Sequence, residues 1–402
     1  MRSECPGTSQ PRLTPRAELA LFAGRAAQPW PSSRLDLLEQ RDPASAALVR
    51  QLLRLPLRAL PQARSAGEFA FTLYGTPAPD DQWIVRPSGV SHRYGAIIAL
   101  GLLRLPGQAQ RAVLGGEDCY ELIGRMAKRL DTLTSRGDVA LLCWAAAAAG
   151  HSELPHALHR LRELDRRGGP LDVVSAAWVV TALVAAREQA DVEQHLAAAR
   201  SRLLAARGAA LYPHAAGGPV SWYRAHVGSF ADQVYPVQAL ARLHASARDP
   251  VALATAESVA ATICRAQGEA GQWWWHYDAR TGRVVEGYPV YSVHQHSMAP
   301  MALLDLAEAG GYPHLRALCR GLDWLASPAE TSQRLVLDEP PVIWRKVARG
   351  DPGKVVRGLR AVATRVRPGA RLPSLDRAFP PGTVDHECRP YELGWLLLAW
   401  LT

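Results

Sequence analysis

The stretch DVVSAAWVVTALVAA, residues 172–186, is nearly apolar all round. A helix with no polar face must be buried on every side. Five further segments share this character: VSHRYGAIIALGLLRL (90–105), GDVALLCWAAAAAG (137–150), ADQVYPVQALARLHA (231–245), YSVHQHSMAPMALLDLAEA (291–309) and HECRPYELGWLLLAWL (386–401). Segments of a second kind precede them: 45–60, 117–133, 153–167, 190–206, 252–267 and 312–327. In these, apolar residues recur at steps of three and four, with Arg and Glu on the other face, as in an amphipathic helix. Six pairs of outer and inner helices, stacked so that each buries its neighbours, make a repeat architecture. Closed into a ring, they form an all-α fold, a single (α/α)6 toroid. An open solenoid is the alternative, and it would require a polar face on every inner helix.

Composition fits one large globular unit. The 402 residues are 48% hydrophobic and 21% charged, ordinary proportions. No apolar run reaches the roughly 18 residues that span a bilayer. MRSECPGTSQPRLTPR has no apolar core behind its charges and does not read as a secretory signal, so residues 1–30 read as a polar arm and 31–402 as the toroid. The six cysteines are scattered without CxxC spacing. They read as buried apolar groups in a reducing, cytoplasmic setting, not as a disulfide or zinc framework. A net charge of +9 attracts anions, but arginine spread over many helix faces, with no nucleic-acid-binding signature, does not point to a nucleic-acid partner. No cofactor and no metal is expected, and the oligomeric state is left open.

The polar residues gather at the starts of the inner helices, and in a ring of parallel inner helices these starts meet at one mouth. Asp138, Asp172 and Asp232 read by default as N-caps, since a carboxylate there accepts from free N–H groups. Capping does not call for His92, Tyr94, Tyr235, Gln238, Tyr291, His294, Glu387, Arg389 and Tyr391. The segment GQWWWHYDARTGRVVEGYPVYSVHQHS (271–297) leads into the fifth inner helix and should line the mouth. Trp273, Trp274 and Trp275 cannot all face one way, so at least one belongs to the core. His294 and His296 are roughly 200° apart on a helix and do not face one site. GRVVEGYPV is a candidate short hairpin. Between 328 and 384 the pattern breaks into a basic, Pro/Gly-punctuated insertion, too long for a connector and suited to a lid over an anionic substrate.

This alternation resembles the α/α-toroid superfamilies: the six-hairpin glycosidases, lyases and sugar epimerases on one side, the terpenoid cyclases and protein prenyltransferases on the other. ATICRAQGEAGQWWWHYD looks like the Gln–Trp turn of the cyclase branch, through Gln267, Gly271 and Trp273. The DxDD motif of proton-initiated cyclases is matched only at Asp172, because Val174 and Ser175 stand where its acidic residues would be. Zinc held as in prenyltransferases would need Asp385, Cys388 and a histidine such as His294, at a spacing that does not fit. The carbohydrate branch suits the mouth better. Sugar faces stack on Trp and Tyr, and hydroxyls need polar partners. Hydrolysis needs two carboxylates, with Asp278, Asp232, Asp385, Glu387 and Glu392 as candidates. A lyase or epimerase needs a base and an acid beside a neutralised carboxylate, with Tyr291, His294, Tyr391 and Arg389 as candidates. Glu392 alternatively pairs with an arginine. The expected substrate is a small molecule or oligosaccharide, neutral or anionic, contacted by His92, Tyr94, Tyr235, Gln238, Trp274, Trp275, Tyr277 and Arg389. The competing readings are a terpenoid- or prenyl-handling toroid and a non-catalytic saccharide-binding module.

Overall fold

The computed structural model describes residues 32–79 and 82–402; the polar arm and Cys5 lie outside them. All six inner helices form. They run over His92–Leu102, Arg136–Ala148, Val173–Ala186, Ala231–Ala247, Ala299–Glu308 and Pro390–Trp400, the fifth preceded by a π-helical turn at His294–Met298. Each packs on the next in chain order, and the sixth packs on the first. The ring is therefore closed, and the fold is an α/α toroid. At the closing seam Gly101 and Gly394 bring two backbones together. A Cβ on Gly101 would meet the Gly394 carbonyl oxygen at 2.2 Å, so a larger residue there would force the ring open.

Outer helices cover this ring: Cys119–Ala127, Leu154–Arg167, Glu193–Ala205, Pro250–Arg265 and Leu315–Ala326. The first outer segment is broken into Pro43–Leu52 and Leu55–Gln62. Pro56 is the physical reason, since its missing N–H and its ring disfavour an uninterrupted helix. Local caps place the inner starts. Asp172 caps the third helix, accepting from the Ser175 N–H at 2.8 Å. Asp138 does not cap the second helix. Ser135 does, and Asp138, one turn in, accepts from Arg93 Nε at 2.5 Å. In the fourth, Ser229 and Asp232 bond reciprocally as in a capping box.

Small sheets decorate the mouth end. Val284–Glu286 pairs with His276–Asp278, which pairs with Val227–Ser229. GRVVEGYPV does not close a hairpin on itself: Val284–Glu286 is one arm of the hairpin with His276–Asp278, and Val290–Tyr291 pairs with Lys346–Arg349. That strand in turn takes Pro381–Asp385 as a neighbour. The 328–384 segment is thus folded, with helices Val355–Val366 and Pro373–Ala378 of its own. A hairpin of Thr72–Pro77 and Trp83–Ser88 is extended by Glu387–Cys388, an addition to the expected architecture. Among the described residues no helix is long and apolar enough to cross a membrane.

Candidate functional site

A cavity of ≈ 440 Å³ opens where the inner helices begin. Tyr94 comes from the first, Trp178 from the third, Asp232 and Tyr235 from the fourth, His294 and Met298 from the π-helical turn that leads into the fifth, and Tyr391 from the sixth. The segments between helices add Asp172, His214, Trp275, Tyr291 and Arg345. Rings make much of the wall. Tyr94 and Tyr391 lie 4.7 Å apart between centroids, as do Trp275 and Tyr291. Trp178 meets Tyr235 edge-on at 5.0 Å, and Trp275 is within 9° of parallel to His294.

The consecutive tryptophans separate as expected. Trp273 is fully buried against Phe230. Trp274 faces a different groove beside Tyr288, and Trp275 faces the mouth. His294 lines the mouth, whereas His296 is fully buried and bonds Ser297 at 2.6 Å. Burial lowers both imidazoles to about 3, so both are neutral at pH 7.

Three ionisable groups converge on one side. Asp232 is 0% exposed, accepts from the Ser229 N–H and hydroxyl at 2.7 Å each, and lies 3.2 Å from His214 Nδ1. The hydrogen bond to Asp232 raises the His214 pKa against the opposing effect of burial, and the charges of Asp232 and Asp172 add to the rise. The His214 side chain keeps 66% of its surface exposed, so it can reach a ligand.

Glu392 stands behind the tyrosines of this wall. It is 1% exposed, and neither carboxyl oxygen has a hydrogen-bond partner. Burial pushes it up to about 8, although Arg345 and Arg389 pull the other way. The expected arginine pair is therefore not formed, and Glu392 is largely protonated at neutral pH.

Seven of the expected site residues line the cavity: Asp232, Tyr291, His294, Tyr391, Tyr94, Tyr235 and Trp275. Seven do not. Asp278, 1% exposed, is ion-paired with Arg280 at 2.8 Å, and Arg280 also donates to the Thr364 carbonyl. This carboxylate braces the mouth sheet against the insertion helix. Tyr277 is fully buried. Gln238 points down the barrel to Asp305, at 3.0 Å. His92 is exposed and paired with Glu68. Glu387 holds Arg345 and Arg389, which places both Glu387 and Arg389 beside the wall but outside the cavity. Sequence reasoning missed His214, Trp178 and Arg345. His214 lies in a loop with no periodic signal, and its partner Asp232 is 18 residues further on. Among the described residues no three His, Cys, Asp or Glu side chains lie together as a metal site. Cys388 is buried with its thiol pushed up to about 12, and Asp385 pairs with Lys346 at 2.7 Å.

No model of a known protein family matches the chain, and no curated protein matches it. Solved structures do. One is an unsaturated glucuronyl hydrolase specific for heparin, with 13% identity, a TM-score of 0.52, and 90% of this chain and 96% of that chain covered. A second is the unsaturated glucuronyl hydrolase of Bacillus sp. GL1, responsible for the degradation of glycosaminoglycan, at 13% identity, TM-score 0.53, covering 88% and 94%. A third is a glycosyl hydrolase of family 88 from Bacteroides vulgatus, at 12% identity, TM-score 0.51, covering 87% and 97%. At this identity the likeness is one of fold.

Proposed function

We propose that the protein is an enzyme acting on a saccharide, and that the reaction is hydrolytic, with the reacting unit held in the mouth. The observation that carries this reading is the convergence of Asp172, His214 and Asp232 on an aromatic-lined cavity. Ring faces suit the apolar faces of a sugar. Glycoside hydrolysis needs a proton donor at the leaving oxygen and, on the other side of the sugar, a carboxylate that either takes a proton from the attacking water or bonds the sugar until water displaces it. His214, whose hold on its proton is strengthened by Asp232, is the donor in this reading, and Asp172 is the carboxylate.

Lyase or epimerase chemistry through a tyrosine base is disfavoured. Burial raises the pKa of Tyr94, Tyr235, Tyr291 and Tyr391, so these phenols hold their protons and act as donors. The solved neighbours, hydrolases of unsaturated glucuronides by their descriptions, give the first substrates to try.

The test is turnover of an unsaturated glucuronyl disaccharide, followed by the loss of its ultraviolet absorbance. His214→Gln is expected to lower kcat by about 100-fold or more, the lower range of a general acid's contribution, with melting little changed because the side chain is largely exposed and the Gln amide still offers Asp232 a donor. In the native enzyme the rate should fall as pH rises through the elevated pKa of His214. Full activity in His214→Gln would remove the proposed acid. Binding that persists with no turnover of any glycoside would leave a saccharide-binding module.

A further inference from the structure

Two more cavities lie in a row with the mouth. A chamber of ≈ 290 Å³ shares Tyr291 and Arg345 with it. Beyond the chamber, a groove of ≈ 1300 Å³ shares Tyr288 and Arg349 with the chamber. The groove alone exceeds the volume of an ordinary small-molecule site, roughly 300–1,000 Å³. Each junction has the same construction. Arg345 sits over the Tyr291 ring at 5.4 Å, and Arg349 over the Tyr288 ring at 4.8 Å. Trp274 extends the aromatic series into the groove, 5.8 Å from Tyr288.

Charge along this row is uneven. Groove and chamber are each lined by five cationic side chains and two carboxylates. The mouth has two arginines and two carboxylates. Several of the cations are already used: Arg349 pairs with Glu286 and Asp376, Lys346 with Asp385, and Arg345 with Glu387. Five are not. Arg265, Arg283 and Arg371 in the groove, and Lys354 and Arg357 in the chamber, form no ion pair with a carboxylate among the described residues. Burial and the nearby charge of Arg224 depress the Arg357 pKa, as expected for a guanidinium short of counter-charge. Unpaired cations concentrated in cavities, beside aromatic rings, are the complement of an anionic chain with flat apolar faces.

We infer that groove, chamber and mouth are consecutive subsites of a track for a polyanionic saccharide, with the acidic units in the groove and chamber and the reacting unit at the mouth. This rests on the saccharide reading above and extends it from a single unit to a chain. The insertion at 328–384 thereby acquires a binding role, since it supplies Lys354, Arg357 and Arg371.

Calorimetric titration of the full-length protein tests the track. The probes are di- and hexasaccharides of galacturonate and of heparin, with cellohexaose as the neutral chain and a single-stranded DNA 12-mer as the other polyanion. In at least one anionic series the hexasaccharide should bind about tenfold tighter than the disaccharide, as additional charge-assisted contacts imply. Cellohexaose should show no such gain. The Arg283→Ser/Arg371→Ser double variant should lose the advantage of length and keep the disaccharide affinity, and Arg357→Gln should weaken both. A disaccharide that binds, with no gain for the hexasaccharide in either series, overturns the track while leaving the mouth reading intact. Failure of every saccharide to bind overturns both. Tighter binding of the DNA than of either hexasaccharide assigns the row to nucleic acid and overturns the proposal.

Discussion

The two ends of the barrel are built from the same kinds of side chain and treat them oppositely. At the end where the inner helices finish, Asp305 is buried and fully engaged: Arg242 donates at 2.5 Å, Gln238 at 3.0 Å, and Arg34 bonds it as well. Arg34 also reaches Glu308 and the Ala399 carbonyl, tying helix Ser33–Arg41 to the fifth and sixth inner helices. At the mouth, Glu392 and His294 are equally buried, yet both Glu392 oxygens and His294 Nδ1 lack partners. A satisfied buried cluster braces a fold. An unsatisfied one costs stability that packing elsewhere must offset, and such groups gather at sites of function. The contrast supports the proposal that the mouth is the working end, on grounds separate from any likeness to other proteins.

The largest expected effect breaks the brace. Arg34→Ala takes from Asp305 one of its two cations, and with it the bonds to Glu308 and the Ala399 carbonyl, and loss of one partner of a buried pair costs about 3–5 kcal/mol. Urea unfolding should show this with little change in ligand affinity at the mouth. Acid should do the same by degrees. Burial alone would raise the Asp305 pKa, but Arg242 and Arg34 override it and hold it at about 2. Its contribution is present above the ordinary carboxylate range and is lost as pH falls toward 2.

Next in size is Glu392, and its sign is reversed. A carboxyl whose folded pKa is raised to about 8 contributes fully below its unfolded value and loses that contribution as pH rises through 8. Glu392→Gln copies the protonated form. A tenfold change in acidity between the folded and unfolded states is worth about 1.4 kcal/mol. The variant should therefore be more stable than the native protein by several kcal/mol at pH 9, since the shift spans more than three tenfold steps. At pH 4 the two should be equal. The two ends thus answer pH in opposite directions: the brace weakens in acid and the mouth in alkali. Equal stability of Glu392→Gln and native protein at pH 9 would show that the carboxylate finds a partner when it ionises.

What is legible in the sequence follows from which interactions are local. The inner helices are readable because burial on all sides leaves an unbroken apolar composition, as in 172–186, and the outer ones because amphipathic spacing repeats within a few residues. Their meeting at one mouth follows from topology. The closing contact of Gly101 with Gly394, nearly 300 residues apart, has no local sign, and neither does the sheet that joins Thr72–Pro77 to Glu387–Cys388. Site residues divide the same way. Aromatic residues in or just past the first turn of an inner helix, such as Tyr94, Tyr235 and Tyr391, reach the cavity. Gln238, three residues beyond Tyr235, belongs to the opposite end. Asp278 resembles a site carboxylate because it follows the tryptophans, while its partner Arg280, two residues on, is what defines it.

That reassignment of Asp278 makes a prediction of middle size. A mouth carboxylate changed to Asn would abolish turnover at little cost in stability. A buried Asp paired with Arg280 should behave in the opposite way, so Asp278→Asn is expected to cost about 2 kcal/mol, below the full penalty of a broken buried pair because Arg280 remains partly solvated. Turnover per folded molecule should be retained. Loss of turnover with an unchanged melting temperature would return Asp278 to the site.

The smallest effect compares two caps of the same type in different places. Ser135 caps the second inner helix, accepting from the Asp138 N–H at 3.3 Å, and it does not line the mouth cavity. Asp172 caps the third, accepting from the Ser175 N–H at 2.8 Å and from its hydroxyl at 2.7 Å, and it does line the cavity. Loss of an N-cap side chain costs about 1 kcal/mol wherever it occurs, so Ser135→Ala and Asp172→Ala should lower the unfolding free energy by similar amounts. Only Asp172→Ala should change kcat, because only there is the capping group also a carboxylate facing the ligand. Asp172→Asn refines the comparison, since an amide oxygen still caps but carries no charge. It should restore most of the stability lost in Asp172→Ala and none of the activity. If activity returns together with stability, the carboxylate of Asp172 serves the helix alone, and the group of three reduces to the pair His214 and Asp232.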